Sequence, residues 1–144
     1  MRRFRYRLET VLRHRATLER LRLQAFAEVQ QQLAEADRRL AALADERSRL
    51  QATWPRRIDL ADIERREFYL GVLAQREARE QRVREGIAAR LEEERAALLE
   101  ARRARQAMES LRAKAYEDYL LDVQRSEQNL LDEIATTRHG LRAA

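Results

Sequence analysis

The chain has 144 residues with a formal net charge of +5, and 38% of them are charged. One proline, three glycines and 6% aromatic residues leave little turn chemistry and few large side chains for a core, so a sheet-based fold is nearly excluded. Without cysteine, a disulfide framework is excluded, and without an apolar run near the roughly 18 residues of a spanning helix we expect a cytoplasmic protein.

The first 22 residues form a basic end. They contain eight arginines and two glutamates, a net charge of +6, whereas the remaining residues sum to −1. Such asymmetry usually marks an interaction surface. Three interpretations stay open: an arm for nucleic-acid phosphates, a helix on a membrane surface, and the protein-binding end of a stalk. Leu8, Val11 and Leu12 commit one helix face to packing, which favours the stalk end.

A first helix is predicted over about residues 8 to 53. Its second half carries a coiled-coil seam, because seven positions alternate spacings of four and three and six of them are apolar. The seam positions are Val29, Leu33, Ala36, Leu40, Leu43, Arg47 and Leu50. Upstream, a looser apolar stripe runs through Leu8, Val11, Leu12, Leu18, Leu21, Ala25 and Phe26.

The first helix should end before Pro55. Proline cannot donate an amide hydrogen bond, and it disfavours the helical conformation at Trp54. We expect a tip over about residues 54 to 60, in which Trp54 packs against the tip rather than binding a partner. Asp59 or Asp62 can cap the next helix.

A second helix is predicted from about residue 60 to about residue 136, followed by a frayed C-terminus. Its predicted seam positions are Ile63, Leu70, Leu73, Val83, Ile87, Leu91, Leu98, Ala101, Met108, Leu111, Ala115 and Tyr119. Polar residues interrupt this seam near Glu77 and Glu80. Gly71 and Gly86 lie inside the helix and are plausible sites of bending or close packing.

The short tip makes the two helices antiparallel neighbours. We therefore predict an all-α fold in which two long helices form an antiparallel coiled-coil hairpin, a single domain over residues 1–144. With the tip near residue 56, Leu8 should lie opposite residue 104, and the second helix should overhang beyond that point.

Nothing in the sequence indicates catalysis. His14 and His139 lie near opposite ends of the chain, and no metal-binding, phosphate-binding or dinucleotide-binding motif is present. The many carboxylates alternate with arginines at helical spacing, as they do on solvated faces. We predict no enzyme activity, no catalytic or metal-binding residues, and no cofactor.

The opening residues resemble a family motif. Phe4, Tyr6, Arg7, Leu8, Glu9, Val11, Leu12 and Arg15 are similar to the FxFRLExLLxxR opening of the FliJ family, small cytosolic proteins of the flagellar type III export apparatus. The heptad segment Ala25–Leu43 and the Tyr69, Leu70 and Leu73 element at the start of the second helix also match. The resemblance covers nearly the whole chain.

The resemblance implies a non-enzymatic stalk and adaptor. Proteins of this family dock into the export ATPase hexamer, contact the cytosolic domain of the export gate and handle export chaperones, at the cytoplasmic face of the inner membrane. The resemblance assigns gate binding to Tyr69 and Leu73, with Phe68 beside them. Two further gate-binding positions of the family fall on Arg76 and Glu80, which differ from the family's residues. The basic end, with Arg5, Arg7, Arg13 and Arg15, would meet the ATPase ring.

The adjacent aromatic residues of the second helix add one constraint but leave alternative functions open. Phe68 and Tyr69 are adjacent and point about 100° apart on a helix, so one of them should face solvent or a partner. The exposed aromatic could merely cover the hairpin near Trp54 and Ile58. The competing functions are a general coiled-coil scaffold, a nucleic-acid-associated protein and the equivalent stalk of an injectisome, and the opening motif favours the flagellum.

Overall fold

A computed structural model describes residues 3–53, 57 and 59–143, with side chains described as far as His139. It contains two α-helices, α1 (Glu9–Ala52) and α2 (Leu60–Ala143), and no strand within the described residues. The two helices pair antiparallel, which confirms the predicted all-α hairpin. At a rise of 1.5 Å per residue, α1 is about 66 Å long and α2 about 126 Å. Helix α2 continues beyond residue 136, where fraying was expected.

Side chains at the start of α2 explain where it begins. The Leu60 backbone N–H donates to Asp59 Oδ1 at 2.7 Å, so Asp59 rather than Asp62 caps the helix. Asp62 instead pairs with Arg65, at 2.6 Å from its Nη2. The expected tip packing of Trp54 and Ile58 lies outside the described residues.

The chain packs into two units, each of which contains part of both helices. The central unit is Arg20–Leu99, and the terminal unit consists of the residues up to Glu19 together with those from Glu100 onward. The single-domain interpretation stays a prediction.

The seam predicted for the first helix is confirmed in the central unit. Val29 and Ala36 are buried, and Leu73 and Leu98 of α2 are buried with them. Leu33, Leu40, Leu43 and Leu50 are half-buried. Arg47 lies at the edge of this seam and donates from Nη1 to Glu77 Oε2 at 2.7 Å.

The seam predicted for α2 is partly wrong. Ile63, Val83 and Leu111 are exposed, whereas the other nine predicted positions are buried or half-buried. The spacing of four and three that runs through Leu70 and Leu73 falls on Arg84 rather than Val83 and on Arg112 rather than Leu111, and it also includes Arg66 and Arg105. Each of these four arginines bonds to an oxygen of α1 or of Thr53, the residue after α1.

Charged residues therefore occupy positions that an apolar pattern cannot identify. Arg66 donates to the backbone oxygens of Gln51 and Thr53, at 2.9 and 2.8 Å.

Gly71 and Gly86 have open space where a Cβ would stand, so close packing does not explain either glycine.

The pairing of the helices differs from the predicted one. In the terminal unit, Arg112 Nε lies 3.2 Å from Glu9 Oε2, so the start of α1 lies beside residue 112 rather than residue 104. The point midway between Glu9 and Arg112 along the chain is near residue 60, not residue 56. Arg66 lies well inside α2, yet it donates to the backbone oxygens of Gln51 and Thr53 at the end of α1. The first turns of α2 therefore lie beyond the end of α1, which explains the different pairing.

In the terminal unit, Leu12 is the buried residue of α1. Leu8 and Val11, which were expected to face inward, are exposed. Beyond Tyr119, α2 has no segment of α1 beside it, and Val123 is its one half-buried side chain between 120 and 139.

Candidate protein-binding surfaces

The start of α2 presents Phe68 to solvent. Its side chain is 76% exposed, and the neighbouring Tyr69 is 37% exposed. This confirms that two adjacent aromatics cannot both enter a narrow seam. Leu73 is 0% exposed, so its side chain packs between the helices and is not offered to a partner. Of the three residues that the resemblance assigned to gate binding, Phe68 is the most accessible.

Tyr69 is held against α1 by its hydroxyl group, which donates a hydrogen bond to Glu46 Oε1. Bonding to this carboxylate raises the pKa of Tyr69, because the acceptor favours the protonated phenol, and partial desolvation acts in the same direction. The aromatic ring thus bridges the two helices. Tyr69 therefore has a structural contact, whereas Phe68 projects away.

An open groove lies beside this bridge. Its lining combines residues of α1 and α2 and includes Arg39, Glu46, Arg76 and Glu80. Arg39 Nε donates to Glu80 Oε2 at 3.0 Å, so the groove is crossed by an ion pair. Arg76 and Glu80, the positions where the chain departs from the family pattern, therefore place charged groups beside the apolar side chains of Ala42 and Leu43.

The basic end presents its arginines on the surface. Arg5, Arg7, Arg13 and Arg15 are all exposed. The first three line one open groove, which also includes Arg112. Arg3 lines the same groove, so five guanidinium groups surround it, with Glu9 as a nearby carboxylate. They make a surface that favours acidic groups or backbone carbonyls.

Aromatic side chains anchor the segment that carries these arginines. Phe4 packs edge-on against Tyr116, with ring centroids 5.1 Å apart, and lies 5.5 Å from Tyr119. The Tyr6 hydroxyl donates to the Met108 carbonyl at 3.4 Å. Phe4 and Tyr6 are half-buried, whereas Arg5 and Arg7, which alternate with them, are exposed. The sequence alternates aromatic residues and arginines here, and the structure explains this pattern: a period of two places the aromatics on α2 and the arginines in solvent.

Glu19 is the most strongly paired carboxylate of the terminal unit. It accepts hydrogen bonds from Arg105 and from Arg102, whose Nε lies 3.2 Å from Oε1. The hydrogen bond from Arg105 is the largest cause that lowers the pKa of Glu19; desolvation opposes it, and the hydrogen bond from Arg102 lowers the pKa further. Arg105 also bonds Glu109, and the two carboxylates together raise its pKa, Glu19 contributing more. These ion pairs stabilise the pairing of the two helices and do not indicate a catalytic site.

The described residues contain neither a metal-binding cluster nor a helix that could cross a membrane. Within them, no group of histidine and acidic side chains is arranged to hold a metal ion. The helices there also include none with the length and apolar character that crossing a bilayer requires.

The fold and these surfaces define the class of protein. Two paired helices, a seam of apolar and ion-paired positions, and open charged grooves make it a coiled-coil hairpin.

The family follows from comparison with known proteins. A family described as flagellar FliJ protein matches residues 4–144, essentially the whole chain, and the chain belongs to this family. Membership makes it a non-enzymatic component associated with flagellar export. No curated protein and no solved structure matched the chain.

Proposed function

We propose that this chain is a stalk and adaptor of the flagellar type III export apparatus. It couples the export ATPase hexamer to the cytosolic domain of the export gate and assists export chaperones. It works in the cytoplasm and meets the inner membrane only through the assembled apparatus, without a cofactor or a nucleic-acid partner. The observation that carries this proposal is the family match over residues 4–144.

The ATPase ring binds the basic end in this proposal. Arg5, Arg7, Arg13 and Arg15 are exposed, and the first 22 residues carry a net charge of +6. Guanidinium groups suit acidic side chains and carbonyl oxygens in the loops of a ring, and the net charge speeds encounter with an acidic surface. Phe4 and Tyr6 support the role because they hold the arginine-bearing segment against α2.

The export gate binds the start of α2. Phe68 supplies an exposed aromatic ring of the kind that anchors protein interfaces. Tyr69 contributes one edge of its ring while its hydroxyl group stays bonded to Glu46. Leu73 acts indirectly in this proposal, since its burial in the seam keeps Phe68 and Tyr69 in position.

A pull-down with the purified export ATPase tests the proposal. The full chain should retain the ATPase at low salt and lose it progressively as salt is added, because exposed charges are screened. A variant with Arg5, Arg7, Arg13 and Arg15 each changed to Gln should retain much less ATPase at every salt concentration.

The matched control removes the same charge elsewhere. It changes Arg79, Arg82, Arg90 and Arg103 to Gln, four arginines that are also exposed. This control should bind the ATPase nearly as well as the unmodified chain. If the unmodified chain does not bind at low salt, if it prefers DNA, or if both variants lose binding equally, the proposal is wrong.

A further inference from the structure

The part of α2 that extends beyond α1 carries an apolar stripe of its own. Leu120, Val123, Leu130 and Ile134 follow the four-and-three spacing of a coiled-coil seam, with Glu127 at the one polar position among them. Leu130 is 57% exposed and Ile134 is 46% exposed, so within the described residues both side chains are open to solvent. We call these five positions the overhang stripe.

The overhang stripe is not a continuation of the internal seam. The internal seam reaches Ala115 and Tyr119, and the same spacing would next fall on Asp122, Ser126 and Asn129, which are polar. The overhang stripe is displaced by one residue and begins from Tyr116, the ring that Phe4 already contacts. A second heptad register that starts where the first becomes polar indicates a second helical neighbour.

The spacing of the stripe identifies the shape of that neighbour. Alternating steps of four and three present a straight row of side chains only to another helix, which packs its own side chains between them. From Leu120 to Ile134 the row is about 21 Å long, or four turns. The partner must therefore supply a helix of at least that length with one apolar face.

Charge identifies the chemistry of the neighbour. Residues 116 to 134 contain six acids and one arginine, a net charge of −5. Glu117 and Glu133 flank the stripe and Glu127 lies within it, whereas Arg125 is on the opposite side of the helix. A second copy of the same overhang would bring these carboxylates together, and a phosphate-bearing surface would be repelled. A helix with lysines or arginines beside its apolar face would neutralise them.

We propose that the overhang stripe is a docking surface for a basic amphipathic helix of a partner protein. The helix packs its apolar face on Leu120, Val123, Leu130 and Ile134, and its cations lie beside Glu117, Glu127 and Glu133. This site is separate from Arg5, Arg7, Arg13, Arg15 and Phe68, and it does not depend on the proposed function.

Two synthetic peptides test the proposal against the full chain. Both are four heptads long with the same Ile and Leu seam; one carries Lys beside the seam and the other Glu. Binding is measured by fluorescence anisotropy at concentrations where each peptide alone is monomeric. The Lys peptide should bind and the Glu peptide should not. Changing Glu127 and Glu133 to Lys should reverse this preference.

A matched pair of variants locates the contact. Ile134→Gln should weaken binding of the Lys peptide at least about tenfold, the expected cost of losing one buried aliphatic side chain. Leu121→Gln should leave binding within about twofold, because Leu121 is similarly exposed, at 50%, but lies on another face of the helix. Circular dichroism should show the same helix content in both variants.

Three results would overturn the proposal. Equal binding of the two peptides would remove the argument from charge. Equal loss in the two variants would mean that the stripe is not the contact. A dimer of the full chain in light scattering that Ile134→Gln converts to a monomer would show that a second copy covers this face.

Discussion

At the scale of single residues, Glu19 couples the pairing of the helices to pH. Its hydrogen bonds with Arg105 and Arg102 lower its pKa from the ordinary value of 4.5. A carboxylate with a depressed pKa stabilises the folded state above its unfolded pKa, and this contribution is lost as the pH falls through the lower folded value. The stabilising effect of Glu19 should therefore be complete at neutral pH and absent in strong acid.

We predict that Glu19→Gln lowers the urea midpoint of unfolding at neutral pH and flattens its fall below about pH 4.5. Glutamine keeps the size of the side chain but cannot carry the charge that both arginines neutralise. Unfolding followed by circular dichroism at several pH values gives the comparison.

A carboxylate on the same helix serves as the control for Glu19. Glu28 is exposed, so Glu28→Gln should leave both the midpoint and its dependence on pH nearly unchanged. Parallel curves for the unmodified chain and Glu19→Gln down to strong acid would contradict the role of Glu19.

At the scale of the helices, residues little more than one turn apart on α2 divide between packing in the seam and exposure to solvent. Leu73 is 0% exposed, and Phe68 is 76% exposed. We predict that Leu73→Ala lowers the free energy of unfolding by about 2–4 kcal/mol, because it opens a cavity in the seam. Phe68→Ala should change it by less than about 0.5 kcal/mol. Urea unfolding of both variants measures the difference, and equal losses would mean that Phe68 also packs.

The seam of α1 could be predicted because its positions are apolar and regularly spaced. The sequence could not show that Arg84 and Arg112 lie in the seam of α2, because an arginine in a seam and an arginine on an outer face look alike in sequence. What places each one is an acid on α1, Asp37 or Glu9, and the sequence does not show which residues face each other.

The sequence pattern also could not predict the register of the two helices or distinguish the binding surface from the seam. A heptad pattern repeats every seven residues, so sliding one helix by about one repeat leaves its apolar pattern nearly unchanged. The observed pairing of Glu9 with Arg112 is shifted by nine residues from the one predicted through Leu8 and residue 104, and the apolar pattern alone did not reveal this shift. Leu73 matched both a seam and a binding motif, and only the packing of α2 against α1 decides between them.

At the scale of the whole molecule, the proposed function requires two surfaces on one chain. Arg5, Arg7, Arg13 and Arg15 belong to the terminal unit, and Phe68 belongs to the central unit. A protein that couples a ring to a gate must bind both at once, so two separately defective chains cannot replace one intact chain. This distinguishes a coupling element from two independent binding activities that happen to share a chain.

We predict that the variant lacking Arg5, Arg7, Arg13 and Arg15 and the Phe68→Ala variant fail to complement each other. In a flagellated strain that lacks this chain, each variant alone should support little swimming in soft agar, and their co-expression should not restore it. Co-expression of either variant with the unmodified chain provides the control and should restore swimming. If the two variants together restore swimming, the two surfaces act on separate molecules, and the chain delivers its partners one after the other instead of connecting them.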